Sequence, residues 1–249
     1  MTNSEFYINC DGTRLHVKMD FPAEKKEQYP LFIVIHGFTG YMEEDHITGV
    51  SQKLNDLGFA TLRADMYGHG ASEGTFAEHH LLLWLSEIIR LVDYTRTLPY
   101  ISDIYLTGHS QGGAAVILAG AILQDRLTAI APMSPAVLLK ENALNGCFLG
   151  HPYDPENMPE TLNAFDTKSL STNHLRVDRF LPFEEAVAAF HKPVLLIHAD
   201  ADEMVPYSCS VDLAQKYSNA KLVTIHNDDH CYHAHLEEVL KAFEEFFRK

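Results

Sequence analysis

The chain has 249 residues, of which 46% are hydrophobic and 21% are charged, and its formal net charge at pH 7 is −15. This length is enough for one domain with a large core, and the acidic balance argues against nucleic acid and anionic membrane as partners. No apolar run approaches the roughly 20 residues needed to span a bilayer. The N-terminus lacks a basic segment followed by an apolar one, so we predict no secretory signal and expect a cytoplasmic location.

Strands and helices alternate along most of the predicted structure. Polar and apolar residues alternate near Phe6–Cys10 and Arg14–Met19, on either side of an Asp11-Gly12 turn, which predicts a hairpin. Short apolar runs predict further strands at Leu31–Gly37, Phe59–Ala64, Ile104–Ser110, Leu127–Met133, Pro193–Ala199 and Lys221–His226. Helical spacing of apolar residues predicts helices at Glu43–Leu57, His80–Leu98, Gly112–Leu123 and His235–Phe247. The alternation predicts an α/β fold with a mostly parallel sheet flanked by helices.

The alternation breaks between Ser134 and His191, where the sequence is irregular and contains several prolines. The next strand begins only at Pro193. Ligands of open α/β sheets bind at the carboxyl ends of the strands. We therefore expect residues 134–190 to form a cap over that edge, inserted within a single domain that spans residues 1–249.

The segment Gly108–Gly112 reads G-H-S-Q-G and matches the nucleophile elbow pattern G-x-S-x-G. It follows an apolar strand and opens an apolar helix, which is the context that the elbow requires. Side chains two residues to either side of the strained serine would collide, so both glycines are needed. A glycine-rich turn with an incidental serine is the alternative, but the context favours Ser110 as a catalytic nucleophile.

A serine nucleophile needs a base, and the base needs an acid that orients it. In folds with this elbow, the acid lies between the serine and the histidine along the chain. We therefore expect the acid just after the strand that ends at Ala199. Asp200, Asp202 and Glu203 are the candidates. Asp202 is favoured because A-D-A-D-E-M-V-P aligns it with the aspartate of the G-x-x-D-x-x-V-P turn of many hydrolases. Asp200 is the alternative, and its structural role would be to cap the turn.

Four histidines lie at or after the end of the last predicted strand: His226 is its last residue, and His230, His233 and His235 follow it. His230 is favoured as the base because it lies in the loop N-D-D-H-C-Y, where related hydrolases have G-x-x-H. His233 is the alternative, while His226 is still in the strand and His235 opens the last helix. Cys231, His233 and His235 could instead ligate a metal, but no second cluster completes four ligands, so no metal site is predicted.

Acyl transfer also needs two N–H donors for the carbonyl oxygen that becomes negative. Gln111, directly after the nucleophile, is predicted to supply one. The run His36–Gly40 reads H-G-F-T-G after the third strand and predicts Phe38 as the other, with its ring beside the acyl group; a plain glycine turn is the alternative. The loop after the next strand contains Asp65 and His69, which we expect to brace the loops rather than to catalyse.

With these motifs placed, the chain resembles the bacterial feruloyl or cinnamoyl esterases of the α/β-hydrolase superfamily nearly end to end. The specific stretches are HGFTG, RADMYGHGASEG, DIYLTGHSQGG, KLVTI followed by DHCYHAHLE, and the cap segments SPA and YDPENMPETL. The resemblance implies a serine carboxylesterase that releases hydroxycinnamic acids, such as ferulic acid, from esters with sugars or small alcohols. It implies an acyl-enzyme intermediate and no metal or organic cofactor.

The resemblance further implies that the partner is a small aromatic ester whose acyl group lies between the cap and the elbow. The residues that it implies for this pocket are Asn142, Leu144, Leu149, Phe165 and His174. Some family members bind the phenolic hydroxyl with Asp, Gln and Tyr side chains, where this chain has Asn142, Leu149 and His174. The preferred hydroxycinnamate is therefore left open, as is a homodimer.

Two other functions are compatible with parts of this pattern. A general short-acyl esterase or a monoacylglycerol lipase would share the same motifs. A hydrolase-fold binding protein without catalysis would usually lack one member of the triad, and all three are present here.

Overall fold

The computed structural model describes residues 3–164 and 168–248. The strands of the described chain are β1 (Ser4–Cys10), β2 (Thr13–Asp20), β3 (Tyr29–Ile35), β4 (Ala60–Ala64), β5 (Ile101–His109), β6 (Ala129–Met133), β7 (Cys147–Phe148), β8 (His151–Pro152), β9 (Thr161–Ala164), β10 (Lys168–Ser171), β11 (Val194–Ala199) and β12 (Ala220–Ile225). The helices are α1 (Asp45–Asp56), α2 (Leu81–Arg96), α3 (Gln111–Leu123), α4 (Leu139–Leu144), α5 (Asn173–Asp178), α6 (Phe183–Ala189), α7 (Ser208–Lys216) and α8 (Leu236–Phe247), and short 3₁₀ turns occur at Phe76–Glu78 and Gln124–Arg126.

Within the described residues, eight strands form the main sheet in the order β1-β2-β4-β3-β5-β6-β11-β12. Strand β2 runs antiparallel to both of its neighbours, and the pairs from β4 to β12 are parallel. The predicted hairpin at Asp11-Gly12 joins β1 to β2, and both turn residues have positive φ. The predicted mostly parallel α/β sheet is therefore confirmed.

Helices cover both faces of this sheet. In β3 the side chains of Leu31, Ile33 and Ile35 pack into a core shared with α2, α3 and α6. The alternate residues Phe32 and Val34 pack into a second core shared with α1 and α8. Both sets are fully buried, as expected for an apolar run in a parallel strand. Among the described helices, none combines the length and apolarity needed to cross a membrane.

Residues 134–193, between β6 and β11, are named the inserted segment here. Its described part contains α4, the antiparallel pairs β7–β8 and β9–β10, α5 and α6. Phe148, Leu170 and Leu175 form a small separate core, against which Phe38 packs from the loop after β3. The inserted segment therefore contacts the loop that was predicted to carry an oxyanion donor.

The sequence pattern did not predict α7 or the elements of the inserted segment. The helix α7 buries only Ser210 and Leu213 among its nine residues, so its apolar period is weak. The strands β7 to β10 have two to four residues each, too few for a periodic pattern to appear.

The turn from β5 to α3 brings the helix unusually close to the sheet. Ser110 has φ 56° and ψ −117°, a conformation that side-chain-bearing residues rarely adopt. A Cβ on Gly108 would lie 2.6 Å from the Gly112 backbone, and a Cβ on Gly112 would lie 2.3 Å from the carbonyl oxygen of His36. Both glycines are therefore needed because of backbone contacts, as the motif predicted.

We expect Gly112→Ala to destabilise the protein by about 1–3 kcal/mol, because the backbone it would strike cannot rotate away. Gly120→Ala, in the same helix, is the matched control: its Cβ would approach the Ile130 side chain at 3.3 Å. The better helix propensity of alanine, about 1 kcal/mol, should offset that contact. Urea denaturation measures both, and equal stability of the two variants would contradict the close approach.

Candidate active site

Asp202 and His230 meet at the carboxyl end of the sheet. Asp202 follows β11 and His230 follows β12, and these strands pair in parallel up to Ala199 and Ile225. The His230 Nδ1 atom lies 2.6 Å from the Asp202 Oδ2 atom. Because a carboxylate only accepts, Nδ1 donates the proton, and Nε2 of the neutral ring is left as an acceptor. Ser110 and His230 line the same cavity, so the three predicted triad residues come together.

The Asp202 carboxylate is completely buried and fully hydrogen-bonded. Its Oδ1 atom accepts the backbone N–H groups of Met204 and Val205, each at 2.8 Å. Its Oδ2 atom faces Nε2 of His198 at 3.2 Å as well as His230. Burial alone would raise the pKa of Asp202, but the bonds from the two imidazoles outweigh it and hold that pKa well below its usual range. Asp202 is therefore a carboxylate at neutral pH.

His198 is a contact of Asp202 that the sequence analysis missed. It is fully buried near the end of β11, and its Nε2 atom also lies 3.0 Å from the carbonyl oxygen of Val205. Since a carbonyl only accepts, Nε2 carries a proton, and Nδ1 lies 2.7 Å from the Ser210 hydroxyl oxygen. His198 therefore helps to hold the Asp202 carboxylate in position. The signal in the sequence was a polar residue within the apolar strand VLLIHA.

The alternatives to Asp202 and His230 have other partners. Asp200 binds Nδ1 of the exposed His226 at 2.6 Å, and this hydrogen bond lowers the pKa of Asp200. His233 binds Asp229 at 2.6 Å. In the described part of the chain, no group of three or more His, Cys, Asp or Glu side chains is arranged to hold a metal ion.

The backbone of His230 is held by His109, the second residue of the elbow motif. The His109 Nε2 atom donates to the carbonyl oxygen of His230 at 2.8 Å. Burial, followed by the neighbouring His46 and His230 rings, lowers the pKa of His109 well below its usual value. His109 is therefore a neutral, fixed link between the elbow and the histidine loop.

The histidine loop is also organised by Asp228, which the sequence analysis did not single out. This buried carboxylate accepts the backbone N–H groups of Asp229, Ala234 and His235 at 2.8–3.0 Å. It ties both ends of the loop around His230 to one side chain. The pattern is typical of aspartate in turns, which bonds nearby backbone donors.

The two predicted oxyanion donors lie beside Ser110. Gln111 is the first residue of α3, where backbone N–H groups have no acceptor within the helix. Phe38 lies in the loop after β3, and both residues line the cavity with Ser110. The geometry therefore presents two backbone segments at the nucleophile, as acyl transfer requires.

Asp65 and His69 brace the neighbouring loops. The Asp65 carboxylate accepts the backbone N–H groups of Met42 at 2.9 Å and Ala71 at 3.0 Å. The His69 ring bonds the carbonyl oxygen of Phe38. Both contacts agree with the bracing role that the sequence indicated, and they fix the oxyanion loop against the loop after β4.

The cavity above Ser110 has a volume of about 460 Å³ and mostly apolar walls. Of the residues that the resemblance implied, Asn142, Leu149 and His174 line it. Leu144 is 47% exposed and outside the lining, because residues two apart on a helix such as α4 do not share a face. Phe165 lies outside the described residues.

Asp178 is a polar wall residue that the sequence analysis missed. It is buried, and one carboxylate oxygen lies 3.3 Å from Nε2 of His174. The His174 Nδ1 atom donates to the carbonyl oxygen of His79 at 3.2 Å. Burial raises the pKa of Asp178, an effect that His174 partly offsets. The mostly apolar cavity thus has the buried pair His174 and Asp178 in its wall.

The α/β-hydrolase fold is defined by a mostly parallel sheet and a strained serine at the elbow. An acid follows one strand of this sheet, and a histidine follows the next. Residues 26–178 match the family described as "Serine aminopeptidase, S33". Residues 164–249 match a second family, described as "TAP-like protein". The chain therefore belongs to the first of these families, within the α/β-hydrolase superfamily.

Solved structures of similar proteins include Est1E from Butyrivibrio proteoclasticus with ferulic acid bound. It is 49% identical to this chain, with a TM-score of 0.95 over 97% of both chains. Alpha/beta hydrolase domain-containing protein 10 from mouse shares the fold at 18% identity, with a TM-score of 0.80 over 98% of both chains.

Curated relatives are more distant. Lysophosphatidylserine lipase ABHD12 of Danio rerio is 26% identical over 81% of this chain and 50% of its own length. The human mitochondrial palmitoyl-protein thioesterase ABHD10 is 23% identical over 77% of this chain and 63% of its own. The chain thus spans about half to two thirds of the length of these relatives.

We expect Asp202→Asn to lower kcat by about 10³-fold or more, because an amide can no longer hold the productive tautomer of His230. Asp200→Asn is the matched control and should keep kcat within about threefold, since Asp200 binds His226 instead. Turnover of p-nitrophenyl butyrate with circular dichroism of each variant checks both. If Asp200→Asn were the crippling change, the acid would be misassigned.

Proposed function

We propose that this protein is a serine carboxylesterase that hydrolyses esters of hydroxycinnamic acids such as ferulic acid. The observation that carries the proposal is the likeness to Est1E, whose solved structure contains ferulic acid, at 49% identity over 97% of both chains. The cavity above Ser110 supports it, because its aromatic and aliphatic walls suit a flat aromatic acyl group.

In the acylation step, the Ser110 hydroxyl attacks the ester carbonyl while Nε2 of His230 takes its proton. Asp202 stabilises the resulting imidazolium through the 2.6 Å bond to Nδ1. The backbone N–H groups of Phe38 and Gln111 bind the oxyanion of the tetrahedral intermediate. When this intermediate collapses, His230 protonates the departing alcohol and the acyl group remains on Ser110.

In the deacylation step, His230 takes a proton from water, which attacks the acyl-enzyme through the same oxyanion site. When the second tetrahedral intermediate collapses, the bond between the acyl group and Ser110 breaks and His230 returns the proton to the Ser110 oxygen, so the hydroxycinnamic acid leaves and the Ser110 hydroxyl is restored. The whole cycle uses side chains and backbone of this chain, and no cofactor enters any step.

We further propose that residues 134–190 act as a cap on the acyl group. The support is the contact of Phe148 with the Phe38 ring at a centroid distance of 5.9 Å, and the place of Asn142, Leu149 and His174 in the cavity wall. The cytoplasmic location and the homodimer stay predictions.

The test compares kcat/KM for methyl ferulate and methyl butyrate. We expect ferulate to be favoured by about tenfold or more, since burying an aromatic ring in the apolar cavity contributes more than burying a propyl chain. Ser110→Ala is the control for background activity and should hydrolyse neither ester. A clear preference for butyrate without release of ferulate would show a general short-acyl esterase instead.

A further inference from the structure

The ring of His36, the residue that directly follows β3, is buried beside the proposed oxyanion loop. The residue is inaccessible to solvent, and its ring bonds backbone groups on two sides. The Nε2 atom lies 3.0 Å from the backbone nitrogen of Met66, and the Nδ1 atom lies 2.7 Å from the carbonyl oxygen of Gly37. The proposed mechanism assigns no role to this ring, although His36 begins the H-G-F-T-G run.

The two partners define which nitrogen of His36 carries the proton. A backbone N–H group can only donate, so Nε2 accepts from Met66. A carbonyl oxygen can only accept, so Nδ1 donates to Gly37, and a neutral ring with one proton makes both bonds. Burial, followed by the neighbouring His69, lowers the pKa of His36 to about 3, so the ring is neutral at neutral pH.

The bond from His36 sets the direction of the Phe38 N–H group, the proposed oxyanion donor. The Gly37 carbonyl and the Phe38 N–H belong to one planar trans peptide unit, so the two groups point in opposite directions. The Gly37 carbonyl also accepts the N–H group of Gly40 at 3.2 Å, which closes a β-turn. The peptide cannot rotate without breaking these two bonds, so the Phe38 N–H is held pointing away from the His36 ring.

This peptide unit lies beside the nucleophile. A Cβ on Gly37 would come 3.4 Å from the Cβ atom of Ser110 and 3.2 Å from the Nδ1 atom of His109. The carbonyl oxygen of His36 faces the start of α3, where a Cβ on Gly112 would lie 2.3 Å away. The backbone of His36 thus contacts the segment that carries one proposed oxyanion donor, and its ring holds the segment that carries the other.

We propose that His36 is a positioning residue for the oxyanion site, because its Nδ1–H group orients the Gly37–Phe38 peptide toward the developing negative charge. A hydrogen bond to the carbonyl also polarises the peptide, which strengthens its N–H group as a donor. A donor oriented in advance stabilises the transition state more than the bound ester. The assignment rests on the proposed ester hydrolysis, and it adds the group that aims one of the two donors.

Two substitutions of His36 separate its two hydrogen bonds. In His36→Asn the amide nitrogen stands about as far from the backbone as Nδ1 and can donate to Gly37, while no acceptor reaches Met66. In His36→Gln the amide oxygen stands about as far out as Nε2 and can accept from Met66, while no donor remains at the position of Nδ1. Each variant leaves one buried backbone group without its partner, so a purely structural role predicts similar losses in both.

The measurements are kcat and KM for methyl ferulate and p-nitrophenyl butyrate, with urea denaturation of each variant. We expect His36→Gln to lower kcat by about 30- to 100-fold with KM within about threefold, since removal of an oxyanion donor costs about 10²–10³-fold. The kcat of His36→Asn should exceed that of His36→Gln by about tenfold or more, although the two variants unfold at similar urea concentrations.

Inhibition by trifluoroacetophenone gives a second readout that does not depend on turnover. Ser110 adds to the ketone carbonyl, and the hemiketal oxygen carries the negative charge that the oxyanion donors bind. The inhibition constant should rise in His36→Gln by about the same factor as kcat falls, and it should rise less in His36→Asn. A loss of substrate binding alone would not produce this match.

The tautomer of His36 can be read in the unmodified protein, whether or not the variants fold. We expect ¹⁵N NMR of the imidazole nitrogens to show His36 with its proton on Nδ1 from about pH 6 to 8, without the titration of an exposed histidine. A proton on Nε2 would overturn the assignment, because Nδ1 could not then donate to Gly37.

Equal kcat values for His36→Asn and His36→Gln at equal stability, or a rise in KM alone, overturn the assignment. They leave the proposed function standing if the wild type hydrolyses methyl ferulate. If the wild type hydrolyses only the butyrate ester, the proposed hydroxycinnamate function fails, and the comparison of the two variants on that ester still decides the role of His36. If it hydrolyses neither ester, both proposals fail.

Discussion

The contact between the start of α3 and the end of β3 is the constraint on which the active site depends. A hydrogen atom is all that fits at Gly112, since a Cβ there would come within 2.3 Å of the His36 carbonyl oxygen. This close approach forces the strained conformation of Ser110 and brings the first N–H groups of the helix beside the oxyanion loop. Ser110 and the two backbone segments proposed as oxyanion donors are thus positioned by one backbone contact.

Two buried histidine rings hold the other half of the site. His109 donates to the His230 backbone at 2.8 Å, and His198 faces the Asp202 carboxylate at 3.2 Å. Neither ring is exposed, so each is fixed by packing as well as by hydrogen bonds. His230 is 15% exposed in its side chain and lines the cavity with Ser110. His109 and His198 thus hold the backbone and the carboxylate that fix the ring proposed to transfer protons.

The sequence predicted the sheet, the elbow and the meeting of Asp202 with His230, because each rests on a local pattern whose geometry the chain order dictates. His198, Asp228 and Asp178 were missed because burial and partner decide their roles, and neither can be read from spacing. Leu144 was expected in the pocket, but it lies two residues from Asn142 on a short helix whose orientation only tertiary packing sets.

The proposed mechanism depends on an ester bond that Ser110 forms with the acyl group during turnover. The direct test is to quench the enzyme with acid during hydrolysis of a ferulate ester and to map the modified peptide by mass spectrometry. We expect the feruloyl group on Ser110 and no adduct in Ser110→Ala. A feruloyl group on another residue, or turnover by Ser110→Ala at the wild-type rate, would contradict the account.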